Sequence, residues 1–329
     1  MNWNPMQILI IKPSSMGDII HALPVVQSIR DQLPEAEVSW VVKTRFADLI
    51  RRCDTVNGQV IEFQHELGLR GIWKTYQQLQ QLQFDAVLDF QGLLRSGLMT
   101  RAANAPVKIG PAWSRECSSW FHPQVAPFPQ GGRQSHVIEM MLEFLPLLGL
   151  DPEIRTPVTI RGDDPTEVDG RLRDCQPVVM FPNSRNPQRE WRQFPELTER
   201  LAAAFPDETF VWDSHQPWES PGVPNPDRFI NLTSKTSLMQ LVNLIQRAKL
   251  VISNDSGPIH MAAAFGIPVV GLYGPTNPER TGPFPLDGVR NEALVAADGD
   301  LARLSPDTVF DCVAGKLRGA ESLPANRAA

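Results

Sequence analysis

The 329-residue chain contains no apolar run approaching the ~18 residues that a membrane-spanning helix requires. Its start, Met1 to Gln7, lacks a basic region, and Ile8-Leu9-Ile10-Ile11 is too short for the apolar heart of a signal peptide. A cytoplasmic chain is therefore expected. Cysteine is scarce: Cys53, Cys117, Cys175 and Cys312 are scattered, with no Cys-x-x-Cys pair and no histidine nearby at ligand spacing. Such cysteines read as small buried hydrophobes, not as a zinc site or a disulfide framework. Neither Gly-x-x-x-x-Gly-Lys-Ser/Thr nor Gly-x-Gly-x-x-Gly occurs, which removes the main support for an ATPase or a dehydrogenase. No basic stripe with interleaved aromatics is present, so no nucleic-acid partner is expected. The only Asp-x-Asp triplet, Asp298-Gly299-Asp300, falls late in a turn-like stretch and is a poor metal candidate. No metal and no cofactor are expected.

What is present is ordinary globular material, with 42% apolar and 21% charged residues in a length that suits two domains. The net charge of −6 resides in the second half, because residues 1–150 carry thirteen basic and thirteen acidic side chains. Lys43, Arg45, Arg51, Arg52, Arg70 and Lys74 could thus face an anionic partner, although solvated surface charge is the plainer reading.

Short buried strands alternate with helix-length segments, the pattern of βαβ units and a parallel sheet. In the first half, Ile8–Ile11, Val38–Val42, Gln59–Phe63 and Ala86–Phe90 read as strands, with helices over Asp18–Gln32 and Ile72–Gln81. Trp73 and Tyr76 on the latter read as core contacts, not as a membrane foot. A second cycle begins at Pro177–Phe181. Helices follow over Phe194–Phe205, Ser237–Arg247 and Gly257–Phe265, with strands at Thr209–Trp212, Leu250–Ser253 and Pro268–Leu272. The Pro-, Asp- and Gly-rich stretch at about 151–176 reads as a linker. The expected fold is therefore α/β, with two Rossmann-like domains, residues 1–160 and 161–329, binding ligand at the carboxyl ends of their strands.

Three loops at strand ends could carry chemistry. Lys12-Pro13-Ser14-Ser15-Met16-Gly17-Asp18 places one carboxylate among hydroxyls. Asp18 reads equally well as a helix N-cap or as a base taking a proton from a substrate hydroxyl. The segment Phe181 to Trp191 offers the amide of Asn183, the hydroxyl of Ser184 and the guanidinium groups of Arg185 and Arg189, a set suited to phosphate, with Trp191 as an anchor. In Ser253-Asn254-Asp255-Ser256-Gly257-Pro258-Ile259-His260, small residues turn a strand into a helix with proline in its first turn, leaving amides and the Ser256 hydroxyl for an anion. The loop Tyr273-Gly274-Pro275-Thr276-Asn277-Pro278 would lie beside it, and the two could hold a diphosphate.

Taken together these segments resemble the ADP-heptose lipopolysaccharide heptosyltransferase family, glycosyltransferase family 9. The likeness spans nearly the whole chain and is greatest toward the enzymes that add the first heptose. It rests on Lys12-Pro-Ser-Ser-Met-Gly-Asp-Ile-Ile-His21, on Asp89-Phe-Gln-Gly-Leu-Leu-Arg-Ser96, and on Asn254 to His260 followed by Tyr273 to Arg280. The resemblance implies a GT-B architecture with parallel sheets facing across a cleft, and an inverting, metal-free mechanism. Asp18 would be the general base and Arg189 would stand where the family places a lysine. The donor, ADP-heptose, would meet Asn183, Ser184, Asp255, Ser256, Gly257 and His260, with Glu219 as a match to the ribose-binding glutamate. Ser14, Ser15, Arg95, Arg115 and Glu116, with His136 as a further candidate, would contact a lipid-A-linked Kdo acceptor; His136 and Glu139 also fit as helix-surface residues. Peripheral contact with the cytoplasmic face of the inner membrane is implied. The alternatives are a GT-B transferase for another sugar nucleotide or acceptor, and a non-catalytic nucleotide-sugar-binding protein.

Overall fold

The computed structural model describes residues 5–184 and 186–321, apart from the side chains of 320 and 321. Arg185 of the second loop and the Pro/Ala/Arg-containing tail lie outside them. The chain divides into two compact units, one running to Arg161 and the other from Gly162.

The first unit is built on six strands: β1 (Gln7–Ile11), β2 (Glu37–Lys43), β3 (Val60–Phe63), β4 (Ala86–Asp89), β5 (Val107–Pro111) and β6 (Gln124–Ala126). They pair in the order β3-β2-β1-β4-β5-β6, every pair parallel. Helices α1 (Met16–Gln32), α2 (Ala47–Arg51), α3 (Leu69–Gln80), α4 (Leu94–Ala102) and α5 (Val137–Leu142) cover it. Because β1 and β4 lie inside the sheet with helices on both faces, their side chains are almost all apolar, and Ile8 to Ile11 are fully buried.

The second unit repeats the plan. Its strands are β7 (Val178–Phe181), β8 (Phe210–Trp212), β9 (Phe229–Asn231), β10 (Leu250–Asn254), β11 (Val269–Tyr273) and β12 (Asn291–Val295), in the order β12-β11-β10-β7-β8-β9 and again all parallel. Its helices are α6 (Phe194–Ala204), α7 (Leu238–Gln246), α8 (Gly257–Ala264), α9 (Pro278–Thr281) and α10 (Pro306–Glu321). Trp191, Phe194, Trp212 and Val313 meet in one core under this sheet. Numbered from its own first strand, each sheet has the order 3-2-1-4-5-6 of the dinucleotide-binding folds.

The strands expected from apolar runs are present within one residue of their expected limits. Four were not foreseen: β5, with Lys108, Gly110 and Pro111; β6 and β9, of three residues each; and β12, which begins Asn-Glu. Three of these, β6, β9 and β12, are edge strands, where short length and polar residues are the rule. Three local readings are corrected. His136 is not a helix-surface residue: it is buried and accepts the Ile138 N–H on its own ring Nδ1 at 3.1 Å, capping α5, while Glu139 Oε2 accepts the His136 N–H. Trp73 is not in the core but 59% exposed, stacked on Tyr76. Of the four cysteines only Cys53 is buried, and Cys117 is exposed.

Candidate functional site

In the first unit the loop after β1 brings Asp18 to the carboxyl edge of the sheet. Ser15, not Asp18, is the N-cap of α1. Asp18 is the third helical residue, and its Oδ2 accepts the Ser15 backbone N–H at 2.8 Å and the Ser15 hydroxyl at 2.9 Å. This is half of a capping box, and it holds the carboxylate over the positive end of α1. Oδ1 accepts no hydrogen bond among the described residues, and the side chain is half-buried. The result is a carboxylate fixed in direction with one oxygen open to an incoming hydroxyl. The two readings of Asp18, helix-capping residue and base, are thus compatible.

Beneath it lies a polar layer that the sequence did not disclose. Lys12 is buried, with Nζ donating to the Phe90 carbonyl at 3.0 Å. Burial lowers its pKa from the ordinary lysine value, and the fields of Asp18 and Asp89 oppose that shift. Asp89, at the end of β4, is fully buried and fully used. Oδ1 accepts the N–H groups of Gln91 and Gly92, while Oδ2 accepts the Ser96 hydroxyl at 2.8 Å and lies 2.9 Å from His122 Nε2. Asp89 thereby ties the start of α4 to the segment after β5. His122 fits because residue 110 is glycine: a Cβ there would lie 2.1 Å from the imidazole ring.

The acceptor-side candidates fall on the loops after β1, β4 and β5, three neighbouring strands. Ser14 is half-buried and Ser15 exposed; Arg95 is half-buried in the first turn of α4. Arg115 and Glu116 are exposed, and that segment is pinned to the α4 start by Arg115 N–H to the Gly92 carbonyl and Leu94 N–H to Glu116 Oε2. Arg95 also lies close enough to Lys43, at the end of β2, to depress its pKa together with Arg45 after the larger effect of burial. The edge is therefore cationic beside Asp18.

In the second unit the loops after β7 and β10 are stapled together by one buried side chain. Asn254 accepts the Trp191 N–H on Oδ1 at 2.9 Å and donates from Nδ2 to the Pro182 carbonyl at 2.9 Å. Trp191 is itself locked into the core by its indole N–H to the Leu304 carbonyl. The staple brings Arg189 to Asp255, NH1 to Oδ2 at 2.9 Å, with His260 Nε2 at 3.9 Å from the other carboxylate oxygen. Ser256 is the N-cap of α8, its hydroxyl 2.9 Å from that of Ser253. The first turn of α8 presents backbone N–H groups that no helical carbonyl can satisfy. Glu190, absent from the expected set, receives Asn183 Nδ2 at 2.9 Å and the Ser184 N–H at 3.2 Å.

Several buried polar atoms in the loop after β7 and at the end of β11 and just beyond it have no hydrogen-bond partner among the described residues: Asn183 Oδ1, Arg189 Nε, Tyr273 Oη and Thr276 Oγ1. Unpaired buried polar atoms are costly, and a concentration of them beside a cation and a helix start marks a place for a polar anionic ligand. Gly274 lets the segment at Gly299 and Leu301 pack close against this loop, since a Cβ there would meet the Gly299 carbonyl at 2.9 Å and the Leu301 side chain at 3.1 Å. Glu219 stands apart, exposed on the loop after β8 and without a bond to this cluster among the described residues. Closer to the sheet, on the same loop, is Asp213. It is buried, accepts Ser214 N–H and the Thr236 hydroxyl at 2.7 Å each, and has its pKa pushed up to about 7 by burial. Nothing in the local sequence signalled it.

Asp298 pairs with Arg303, and Asp300 caps the turn at Ala302. Among the described residues no group of three or more His, Cys, Asp or Glu is arranged to hold a metal ion.

The family model and the curated relatives agree on one group. The model of the family described as glycosyltransferase family 9 (heptosyltransferase) matches residues 72–296. The chain is 28% identical to the lipopolysaccharide core heptosyltransferase OpsX of Haemophilus influenzae over 85% of its own length and 82% of the relative's. It is 28% identical to lipopolysaccharide heptosyltransferase 1 of Escherichia coli K12, over 85% of this chain and 91% of that one. Among solved structures it resembles the E. coli heptosyltransferase WaaC with ADP, with a TM-score of 0.76 and 25% identity, covering 94% of this chain and all of the other. The expected α/β class, two Rossmann-like units of the GT-B kind, is the one observed.

Proposed function

The chain belongs to glycosyltransferase family 9, the heptosyltransferases, and on that premise we propose that it transfers a heptose from ADP-heptose to the Kdo-containing inner core of lipopolysaccharide. The observation that carries the reading is the Arg189–Asp255 cluster at the start of α8. It is a cation and a set of helix-start amides, ringed by buried polar atoms without partners, inside the segment that matches the family.

In the proposed reaction Asp18 Oδ1 takes the proton of an acceptor hydroxyl. The hydroxyl oxygen then forms its bond to the anomeric carbon from the face opposite ADP, and the bond from that carbon to the diphosphate oxygen breaks. The electron pair leaves with ADP, and the configuration inverts. Charge developing on the departing diphosphate meets Arg189 and the amides of Ser256 and Gly257, which are donors in place before the reaction starts. Arg189 does this as a fork, where the family's lysine is a point charge. Asp255 and His260 would contact the sugar and hold Arg189; Asn183 and Ser184 would bind phosphate, and Glu219 the ribose. Ser14, Ser15, Arg95, Arg115 and Glu116 would orient the acceptor, whose anionic groups suit the cationic edge around Lys43 and Arg45. On this reading the first unit binds acceptor and the second binds donor. No metal ion takes part, and the protein works at the cytoplasmic surface of the membrane that carries its acceptor. No helix among the described residues is long and apolar enough to cross a membrane.

The test is incubation of the purified protein with ADP-heptose and Kdo-lipid A in a chelating buffer, scored by ADP release and by mass spectrometry of the lipid. A product heavier by one heptose, absent with Asp18→Ala although that variant still binds ADP-heptose, is the expected result. Unimpaired turnover by Asp18→Ala would refute the assigned base. Donor binding without product would favour a different acceptor or a protein that only binds nucleotide sugars.

A further inference from the structure

Helix α3 and the turn before it carry the most exposed apolar group of the first unit. Leu69 is 84% exposed, Trp73 59% and Leu67 51%. Gly71, Thr75 and Leu79 face the protein. At 100° per residue this leaves Leu69 and Trp73 on the outward line of the helix, one turn apart, with Tyr76 stacked on Trp73 at its margin. Arg70 and Lys74, also one turn apart, form the adjoining line and are exposed. Neither makes an ion pair among the described residues; Lys74 Nζ reaches only the Gln64 amide oxygen, at 3.2 Å. By contrast, Arg51 at the end of α2 and Arg52 just after it are neutralised by Glu62 and Asp48.

An outward tryptophan and leucine side by side, bordered by unpaired cations, is the side-chain set of a helix lying in a lipid headgroup layer. Indole and leucine enter the boundary between headgroup and acyl chain, while Arg70 and Lys74 meet phosphate. A protein partner would leave the two cations in need of acidic side chains, whereas an anionic bilayer supplies the complement everywhere. We infer that Leu67, Leu69 and Trp73, flanked by Arg70 and Lys74, form the surface by which the protein sits on an anionic phospholipid bilayer. This rests on the reading of a membrane-borne acceptor and adds the residues that make the contact. None of the five belongs to the proposed acceptor or donor site.

The experiment is co-sedimentation of the full-length protein with vesicles of phosphatidylethanolamine and phosphatidylglycerol, and with vesicles of phosphatidylcholine alone. Three variants are compared: Leu69→Ser/Trp73→Ser, Arg70→Gln/Lys74→Gln, and the control Val289→Ser, which removes an apolar side chain 84% exposed in the second unit. All five positions are exposed, so thermal unfolding should be unchanged. The apolar pair should weaken binding roughly tenfold or more. The charge pair should weaken binding to the anionic vesicles about 30-fold, at about one kcal/mol per basic residue, and should leave binding to phosphatidylcholine unaltered. The control should bind as the parent does. If the parent binds anionic vesicles and the two α3 variants bind as well, the surface is wrong while the membrane reading stands. If the parent binds no vesicle, both fall. If instead the parent forms a dimer in solution that Leu69→Ser/Trp73→Ser abolishes, the face belongs to a second copy and the inference is overturned.

Discussion

Asp213 offers a quantitative test of the second unit's electrostatics. It is 2% exposed, with one oxygen on the Ser214 N–H and the other on the Thr236 hydroxyl. Burial raises its pKa from 3.8 to about 7, and the two hydrogen bonds only partly offset this. In the unfolded chain the same group titrates near its ordinary value. Between about pH 4 and pH 7 the folded protein therefore keeps a proton that the unfolded chain has released, and stability falls as pH rises. The favourable contribution is complete below pH ~3.8, erodes through the interval, and is gone above pH ~7. At 1.36 kcal/mol per unit, about three units amount to at most ~4 kcal/mol. Asp213→Asn has nearly the same shape, keeps an oxygen for the Ser214 N–H, and leaves the Thr236 hydroxyl free to rotate and accept from the amide. It should match the parent only below about pH 4, exceed it already by about 1.5 kcal/mol at pH 5, and exceed it increasingly towards pH 8. At ~2–4 °C per kcal/mol for a unit of this size, the difference should reach roughly 10 °C in the midpoint of the second unit's transition. Calorimetric melts at half-unit steps from pH 5 to pH 8 would show it. A difference between variant and parent that stays constant across that range would refute the account.

Three further outcomes are expected. Arg189→Met should lower kcat by roughly 10²–10³ in the transfer assay, because it removes a preorganised cation and strands buried Asp255, whereas Arg189→Lys should recover part of the loss. Gly110→Ala should drive His122 off Asp89 and lower the unfolding free energy by about 1–3 kcal/mol in denaturant titration, and a variant as stable as the parent would contradict the packing described. Asn254→Ala should cost about 1–3 kcal/mol by leaving the Trp191 N–H and the Pro182 carbonyl unpaired, and should raise the donor KM as the two loops separate.

Most inner strands were legible because burial on both faces leaves an uninterrupted apolar signal, as in Ile8–Ile11 and Val178–Phe181. Short edges such as Phe229–Asn231 were not, because three residues are too few to set a period, and the inner β5 escaped because Lys108, Gly110 and Pro111 interrupt its apolar run. The same division holds in the site. The position of Asp18 at a strand end was readable from the loop itself, although the cap was read three residues late, on Asp18 instead of Ser15. The Asp89–His122 bond spans 33 positions and the Arg189–Asp255 pair spans 66, so only the fold brings them together. Asp213 was invisible for a different reason: a lone aspartate after a strand is commonplace, and its unusual proton affinity comes entirely from what packs around it.

The repeated strand order has a consequence for how this chain tolerates change. In each sheet the connections leave in opposite directions from the first and fourth strands, so a gap opens above their carboxyl ends that no crossover roofs. β1 and β4 flank one such gap, and β7 and β10 flank the other. Every substitution on these four strands is felt twice, once by the cores beneath and once by the open rim above. The outer strands β3, β6 and β9 border no gap and can drift, shorten or take insertions without disturbing either rim, whereas β12 leads into the segment whose Gly299 and Leu304 pack against Gly274 and Trp191.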